Sequence, residues 1–302
     1  VPRSRVQELA QERMEQNAQT LLETFPDSGR TGYLLRRTFD EVTQVVDELY
    51  DELSVSAFRP KFCELEFSAH GALPGVAFSG ERCRGVVEGF VDRVDVWQSG
   101  GRPYVRVVDY KTGKKSFDYT NVLHGRGLQM LLYLFALVRQ GGHLLHGEPL
   151  PAGVLYFPAR IERVSVRDRL AQAEIEKERR KQLRRSGVLL NSDPVLEAME
   201  PCGGSPRFLP YTLDKEGRKT GDLASFVQLA QLERFVFQTV AALGDELADG
   251  RIDPDPCIRD AKDSACAFCP YSEVCAGHEQ PRWLKKITAE EFWQTLERRE
   301  HG

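Results

Sequence analysis

The protein has 302 residues, of which 41% are hydrophobic and 28% are charged, and its formal net charge at pH 7 is −4. This composition is typical of globular proteins, and the absence of any run of about 18 apolar residues argues against a membrane span. The charged N-terminus lacks the apolar centre of a secretion signal, so we expect a cytoplasmic protein. Because the net charge is negative, a nucleic acid would have to be held by a local basic surface.

The chain begins with two predicted helices, over residues 4–24 and 33–56, which are separated by a loop containing Pro26. A strand is predicted at 62–68 from its alternating side chains, and the Gly- and Pro-containing segment 71–81 is interpreted as a turn. The helices are interpreted as scaffold.

A β-hairpin is predicted from Val86 to Lys111, because two runs rich in Val, Phe, Trp and Tyr flank a Gly-Gly turn. Asp92 lies in the first strand, and Asp109 precedes Lys111 by two residues in the second, so the last two side chains share a face. Buried charges are costly unless they are paired or bind a metal. The pattern favours a Mg²⁺ (or Mn²⁺) site for phosphodiester hydrolysis, although Asp-x-Lys alone would favour surface ion pairs.

A nearly all-apolar helix is predicted over 121–139, with Thr120 or Asn121 as its cap, and it should lie buried against the sheet. Gln129 and Tyr133 lie four residues apart on one face of this helix, where they could reach a phosphate or a nucleotide. Taken singly, Tyr133 is best explained as the edge of the core and Gln129 as chance.

The remaining elements are a short buried strand over 151–159, a charged helix over 160–186, an irregular stretch over 187–221 and a helix over 222–249. A capping box at Thr288 and Glu291 opens the last helix. The densest basic cluster is Arg179–Arg180 with Arg184–Arg185, which is either a solvated helix face or a contact with phosphates.

Seven cysteines are present, and four of them fall within nineteen residues: Cys257, Cys266, Cys269 and Cys275. The last three form a C-x2-C-x5-C motif, whose spacing lets three thiolates converge on zinc or on an iron–sulfur cluster. An odd count in a chain without a secretion signal favours metal ligation over disulfides. The other cysteines are interpreted as ordinary thiols: Cys63, Cys83 and Cys202.

In order and spacing, the segments G-F-V-D-R-V-D, V-V-D-Y-K-T-G, G-L-Q-M-L-L-Y-L and P-A-G-V-L-Y-F-P, with the cysteine motif, resemble the nuclease domain of AddB subunits of bacterial AddAB helicase–nucleases, in the RecB-like branch of the PD-(D/E)XK nucleases. The resemblance covers about Tyr33 to Cys275. It implies an α/β fold with a restriction-endonuclease-like core, a central mixed sheet flanked by helices and a cysteine-rich C-terminal extension. We divide the chain into N-terminal helices (1–60), nuclease core (61–160) and a helical extension with the iron–sulfur motif (161–302).

The resemblance also implies a role for each residue of the motifs. Metal ligands would be Asp92, Asp109 and the carbonyl of Tyr110; Lys111 would be the catalytic lysine; Gln129 and Tyr133 would contact DNA. The implied activity is metal-dependent exonuclease cleavage of a DNA strand, the 5′-terminated one, during double-strand break processing and recombinational repair. The implied partners are DNA and an AddA-like helicase–nuclease subunit.

The sequence departs from the family pattern in two ways. Relatives place a metal-ligating His on a helix before the sheet, but none of the six histidines lies in the first predicted helix, so we expect a fragment that begins after that position. The helicase-like part and a G-x-x-x-x-G-K-[ST] loop are likewise missing, and no ATPase is expected from this chain. The resemblance implies a [4Fe–4S] cluster whose fourth cysteine lies upstream, and Cys257 is the nearest substitute.

Two other functions remain open at this point. The chain could be a non-catalytic DNA- or partner-binding module on a nuclease fold, with the iron–sulfur centre as a structural staple. Electron transfer through the cluster is a weaker alternative, because no flavin or nicotinamide motif accompanies the cysteines.

Overall fold

The structure is a computed structural model, and it describes residues 1–24, 29–113, 116–161, 172–259, 264–267, 269–275 and 281–301. Its helices are α1 (Arg3–Thr24), α2 (Gly29–Val55), α3 (Tyr119–Leu123), α4 (Gln129–Gln140), α5 (Gly142–Leu145), α6 (Gln172–Gln182), α7 (Asp193–Met199), α8 (Phe226–Ala248) and α9 (Ala289–His301). Its strands are β1 (Arg59–Phe67), β2 (Val76–Ser79), β3 (Arg84–Val87), β4 (Gly89–Ser99), β5 (Arg102–Lys111), β6 (Leu150–Pro158), β7 (Ser186–Leu190), β8 (Tyr211–Leu213), β9 (Lys219–Gly221), β10 (Leu223–Ala224), β11 (Cys257–Ile258) and β12 (Arg282–Trp283).

A mixed six-stranded sheet forms the centre of the protein, in the order β1-β4-β5-β6-β7-β10. The pairs β5–β6 and β7–β10 are parallel, and the other neighbouring pairs are antiparallel. Helix α4 packs against β5 and β6 and also contacts α8, so its apolar side chains enter the core. The predicted fold class, a central mixed sheet flanked by helices, is confirmed.

The predicted hairpin from the middle of the chain is present as β4 and β5. The two strands pair antiparallel up to Ser99 opposite Arg102, and the residues between them, Gly100 and Gly101, have φ angles of 58° and 76°. Glycine adopts this left-handed conformation without a steric penalty, which is why a Gly-Gly pair makes a tight hairpin turn.

The predicted helix over 121–139 is divided into α3 and α4 by a loop in which Gly125 and Gly127 have positive φ angles. The expected cap at Thr120 or Asn121 was wrong. Asp118 is the N-cap of α3, and its carboxylate accepts a hydrogen bond from the backbone N–H of Thr120. The consequence for the site is that a separate helix, α4, begins at Gln129.

Two stretches contain more structure than the sequence predicted. The supposed turn at 71–81 contributes β2 to a hairpin with β3. The supposedly irregular segment 187–221 contains most of β7, all of α7 and the β8–β9 hairpin. Strand β7 is a short buried run without alternation, and such runs carry no periodicity that separates strand from loop.

The segment after residue 160 does more than add helices, because β7 and β10 belong to the central sheet. The division at residues 60 and 160 stays a prediction. Residues 162–171 of the expected charged helix lie outside the described residues, and α6 follows them. In the parts of the chain that are described, no helix combines the length and apolarity needed to cross a bilayer.

A buried ion network joins α2 to the sheet; we define it by Glu48, Glu52, Arg93, Asp95, Arg106 and Arg185, each at most 6% exposed. Arg106 lies 2.9 Å from Glu52 through Nη2 and 2.8 Å from Asp95 through Nε. Asp95 in turn pairs with Arg93 at 2.9 Å, and Glu52 with Arg185 at 2.6 Å. Because each charge faces an opposite one, the network avoids the cost of an isolated buried ion.

Candidate active site

Asp92 and Asp109 lie on neighbouring strands near the same end of the central sheet. The paired register of β4 and β5 places Arg93 opposite Val108. Continued by one residue, that antiparallel register brings Asp92 beside Asp109. The hairpin therefore carries two carboxylates from positions seventeen residues apart in sequence to one location.

Backbone and side-chain contacts orient both carboxylates. Asp92 Oδ2 accepts a hydrogen bond of 2.8 Å from the backbone N–H of Tyr110. Asp109 is 7% exposed and forms an ion pair with Lys111, whose side chain is 26% exposed. Lys111 thus lies on the same face of β5 as Asp109, as the two-residue spacing predicted.

Tyr156 of β6 lies opposite Asp109 in the parallel register of β5 and β6. Burial, together with the charge of Asp109, raises the pKa of Tyr156 to about 12. Its hydroxyl therefore keeps its proton at physiological pH and remains a hydrogen-bond donor beside the acids.

Tyr110 connects the two carboxylates to the buried ion network. Its backbone N–H orients Asp92, and its hydroxyl accepts a hydrogen bond of 2.6 Å from Arg93 Nη1. Its ring lies 5.2 Å from that of Phe157. Burial raises the pKa of Tyr110, although the nearby Arg93 cation opposes that shift.

Gln129 and Tyr133 face each other on the first turn of α4, with Gln129 Nε2 donating to the Tyr133 hydroxyl at 3.2 Å. The Tyr133 ring is 2% exposed and stacks on Phe67 at 5.1 Å, whereas Gln129 is exposed. Tyr133 is therefore part of the core and also holds Gln129 at the surface. A contact of this pair with DNA stays a prediction.

At Gly89, strand β4 closely approaches the hydroxyl of Tyr133, a contact that the sequence did not reveal. A Cβ atom on Gly89 would overlap the hydroxyl of Tyr133. Gly89 precedes Asp92 by three residues on β4, which is about 10 Å along a strand. The only sequence signal was the glycine that opens G-F-V-D-R-V-D, where a glycine inside a strand marks a close approach.

The two carboxylates suit a divalent metal of the Mg²⁺ type. Among the described residues, no group of three or more His, Cys, Asp or Glu side chains could hold a metal ion. Mg²⁺ needs no such cage, because it binds one or two carboxylates and keeps several waters. Asp92 and Asp109, with the carbonyl of Tyr110, are a fitting all-oxygen donor set.

The cysteine motif does not show a comparable arrangement. All seven cysteines lie within the described residues as thiols without disulfides. Cys257 belongs to β11, and Cys266, Cys269 and Cys275 follow in turns that are held by backbone hydrogen bonds. Since the described residues contain no group of three metal-binding side chains, the four thiols do not fit an iron–sulfur cluster as they are placed here.

The basic cluster that could have contacted phosphates is divided between surface and interior. Arg180 is exposed and pairs with Glu176, whereas Arg185 belongs to the buried ion network. Arg184 donates to the backbone carbonyls of Leu209 and Tyr211. The cluster therefore does not form one exposed cationic surface.

Comparison with known proteins places this geometry in a family. Residues 1–276 match the PD-(D/E)XK nuclease superfamily. The chain is 34% identical to the AddB subunit of the ATP-dependent helicase/deoxyribonuclease of Moorella thermoacetica, over 84% of this chain and 22% of that protein. It is 29% identical to the protein of the same name from Oceanobacillus iheyensis, over 82% of this chain and 22% of that protein. The Clostridium perfringens protein is 27% identical over 99% of this chain and 26% of its own length.

The chain thus spans 22% to 26% of the length of these relatives. The superfamily match covers both acid-bearing strands, the lysine and the helix with the glutamine–tyrosine pair. On these grounds, the chain belongs to the PD-(D/E)XK nuclease superfamily.

Proposed function

We propose that the chain is the nuclease domain of an AddB-like protein and hydrolyses phosphodiester bonds of a DNA strand with Mg²⁺ or Mn²⁺. The observation that carries this proposal is the convergence of Asp92, Asp109 and Lys111 at one end of the β4–β5 hairpin. Two oriented carboxylates and one partly exposed cation are the groups that metal-assisted phosphodiester hydrolysis requires.

Each side chain has a task that follows from its position. Asp92, Asp109 and the Tyr110 carbonyl would hold the divalent ion, which when bound supplies Lewis-acid stabilisation of the phosphate charge. Lys111 is held by Asp109 and is partly open to solvent, so its ammonium can orient the attacking water and neutralise a phosphate oxygen. Gln129 is exposed at the start of α4 and can donate a hydrogen bond to the DNA backbone.

The wider context rests on the relatives, which are named as subunits of ATP-dependent helicase/deoxyribonucleases. We infer that the chain acts as an exonuclease in double-strand break processing in the cytoplasm, beside an AddA-like helicase–nuclease subunit. The helicase motor of this assembly would deliver the DNA strand to Asp92 and Asp109.

An iron–sulfur role for the cysteine motif is supported by the spacing of Cys266, Cys269 and Cys275 and not by their placement. No step of the reaction is assigned to such a cluster. Assay of iron and acid-labile sulfide in the purified full-length protein, before and after Cys269→Ser, decides whether these thiols bind one.

The nuclease assignment is tested by cleavage of single-stranded DNA in the full-length protein that contains this chain, with any subunit that co-purifies. Asp109→Ala should reduce Mg²⁺-dependent cleavage by about a hundredfold or more, because a metal ligand is lost. The matched control is Glu216→Ala, which removes an exposed carboxylate from the turn between β8 and β9. Unchanged cleavage by Asp109→Ala would exclude catalysis at this site and favour a non-catalytic binding module.

A further inference from the structure

The proposed reaction assigns no role to the buried ion network, although one of its members is adjacent in sequence to an acid of the site. Arg93 follows Asp92 directly in β4, and Tyr110 stands between Asp109 and Lys111 in β5. Side chains alternate along a strand, so Arg93 and Tyr110 point away from the acids that flank them. The site and the network therefore share two backbone segments.

Tyr110 contacts both the proposed metal site and the buried ion network. Its N–H donates to Asp92 Oδ2 at 2.8 Å, and its hydroxyl is held at 2.6 Å by Arg93, which is 2% exposed. Arg93 is itself fixed by Asp95 through contacts of 2.9 and 3.1 Å. A shift of the Tyr110 side chain would thus move the donor that orients one acid and the backbone that carries the other.

The network extends this support into the interior. Asp95 pairs with Arg106, Arg106 with Glu52 of α2, and Glu52 with Arg185 near β7. The guanidinium of Arg185 also lies 4.0 Å from the ring centre of Phe157, whose ring contacts Tyr110. Tyr110 is consequently held by the Arg93 guanidinium and by the Phe157 ring, and each of these is in turn contacted by another residue of the network.

We propose that Tyr110 is a positioning residue whose phenol, locked by Arg93, sets the spacing of Asp92 and Asp109 and thereby the affinity of the site for its divalent ion. This inference rests on the proposed function, because it concerns the same metal site. The phenol touches neither ion nor DNA; it acts through its own backbone. Supporting contacts of this kind change metal affinity by about 10- to 100-fold when they are removed.

The test compares two Tyr→Phe variants on the same strand in the full-length protein. Tyr110→Phe deletes the hydroxyl that Arg93 holds and keeps the backbone N–H. Tyr104→Phe is the matched control, since Tyr104 shares the face of β5 with Tyr110 and its ring packs on Trp97 at the far end. Calorimetric titration with Mn²⁺ gives the dissociation constant of this site without requiring cleavage. The heat measured for Asp109→Ala, which lacks one proposed metal ligand, is subtracted as the blank.

We expect Tyr110→Phe to weaken Mn²⁺ binding by about tenfold and to raise the Mg²⁺ concentration for half-maximal cleavage equally, while KM for DNA stays within about twofold. Tyr104→Phe should leave the Mn²⁺ dissociation constant within about twofold. Arg93→Lys should resemble Tyr110→Phe, because an ammonium cannot serve Asp95 and the phenol in the same fork geometry. The double variant should bind Mn²⁺ no more weakly than either single variant, because both substitutions break the same contact between Arg93 and Tyr110.

A Mn²⁺ dissociation constant for Tyr110→Phe equal to that of Tyr104→Phe would overturn the inference, as would a fall in thermal stability without a change in metal binding. Fully additive effects of Tyr110→Phe and Arg93→Lys would also overturn it. These outcomes differ from failure of the proposed function. In that case, Asp109→Ala itself would bind Mn²⁺ and cleave DNA like the unmodified protein.

Discussion

Glu52 and Arg106 form an ion pair of 2.9 Å in which the two side chains are 2% and 0% exposed. One partner comes from α2 and the other from β5, so the pair fixes the N-terminal helices onto the strand that carries Asp109. Removing one member of a buried pair leaves the other charge uncompensated, which is more costly than the loss of a surface pair.

Glu52→Gln should therefore lower the free energy of unfolding by about 3 kcal/mol, because Arg106 and Arg185 lose their shared anion. Urea denaturation at pH 7 measures the change. Glu178→Gln serves as the control, since its partner Lys181 is 64% exposed and such pairs contribute less than about 1 kcal/mol. Equal effects of the two substitutions would contradict the proposed role of the network.

The stability that Glu52 contributes should depend on pH. Burial by itself would raise the pKa of Glu52, but the charges of Arg185, Arg106 and Arg93 outweigh it and lower the pKa from 4.5 to about 2. A depressed folded-state pKa means that the contribution is complete above about pH 4.5 and is lost as the pH falls towards 2. The difference in unfolding free energy between the unmodified protein and Glu52→Gln should be constant from pH 5 to 7 and shrink below. Urea midpoints measured across this range check the prediction, and a constant difference down to pH 3 would refute it.

Gly89→Ala should displace Tyr133, because the added methyl group would overlap the Tyr133 hydroxyl. Overpacking of this kind costs about 1–3 kcal/mol, and here it also disturbs Gln129, which donates to that hydroxyl. We expect lower thermal stability and weaker binding of single-stranded DNA, measured by fluorescence anisotropy. Tyr133→Phe added to Gly89→Ala should recover part of the stability by removing the overlapping oxygen.

The control for this prediction is Gly203→Ala, since a Cβ atom there meets no other atom within 4 Å. Its stability and DNA binding should match those of the unmodified protein. If Gly89→Ala behaves like Gly203→Ala, the close approach of β4 and α4 is not required for the site.

Asp245→Ala should loosen the tip of the β2–β3 hairpin. The Asp245 carboxylate accepts backbone hydrogen bonds from Glu81, Arg82 and Cys83 at 2.8, 2.8 and 3.0 Å, which also lower the pKa of Asp245. We expect amide exchange at residues 81–83 to become about tenfold faster or more, with DNA cleavage unchanged. Hydrogen exchange with mass spectrometry measures this, and Asp249→Ala, which removes side-chain ion pairs with Arg82 and Arg251, is the control.

The sequence predicted the hairpin and the proximity of its acids well, because both depend on local signals. Alternating residues and a Gly-Gly turn specify two paired strands, and that pairing alone brings Asp92 beside Asp109. The placement of Lys111 on the same face of β5 as Asp109 followed from a two-residue spacing. The roles of these residues in metal binding and catalysis stay predictions.

The sequence did not predict what depends on distant partners. Arg185 stands at the end of a charged run that was interpreted as solvated helix or phosphate contact, yet it lies inside the protein against Glu52, 133 residues away. Local composition cannot show which arginine of such a run turns inward. Similarly, the β2–β3 hairpin depends on Asp245 from a helix far along the chain, and the segment itself carries only turn signals.

Strand β5 exposes its residues alternately to two different surroundings. Arg106 and Tyr110 reach the buried ion network, whereas Asp109 and Lys111 face the proposed metal site. A slip of β5 by one residue against β4 would exchange the two faces, bringing valine to Asp95 and Glu52 in place of their arginine. The mispaired strand would take from Asp95 and Glu52 the cation that they share and would leave each with one arginine fewer, which is costlier than misplacing apolar side chains. The charges of the buried ion network, which do not contact the substrate, thus favour the one register of β5 against β4 in which Asp109 faces the proposed metal site.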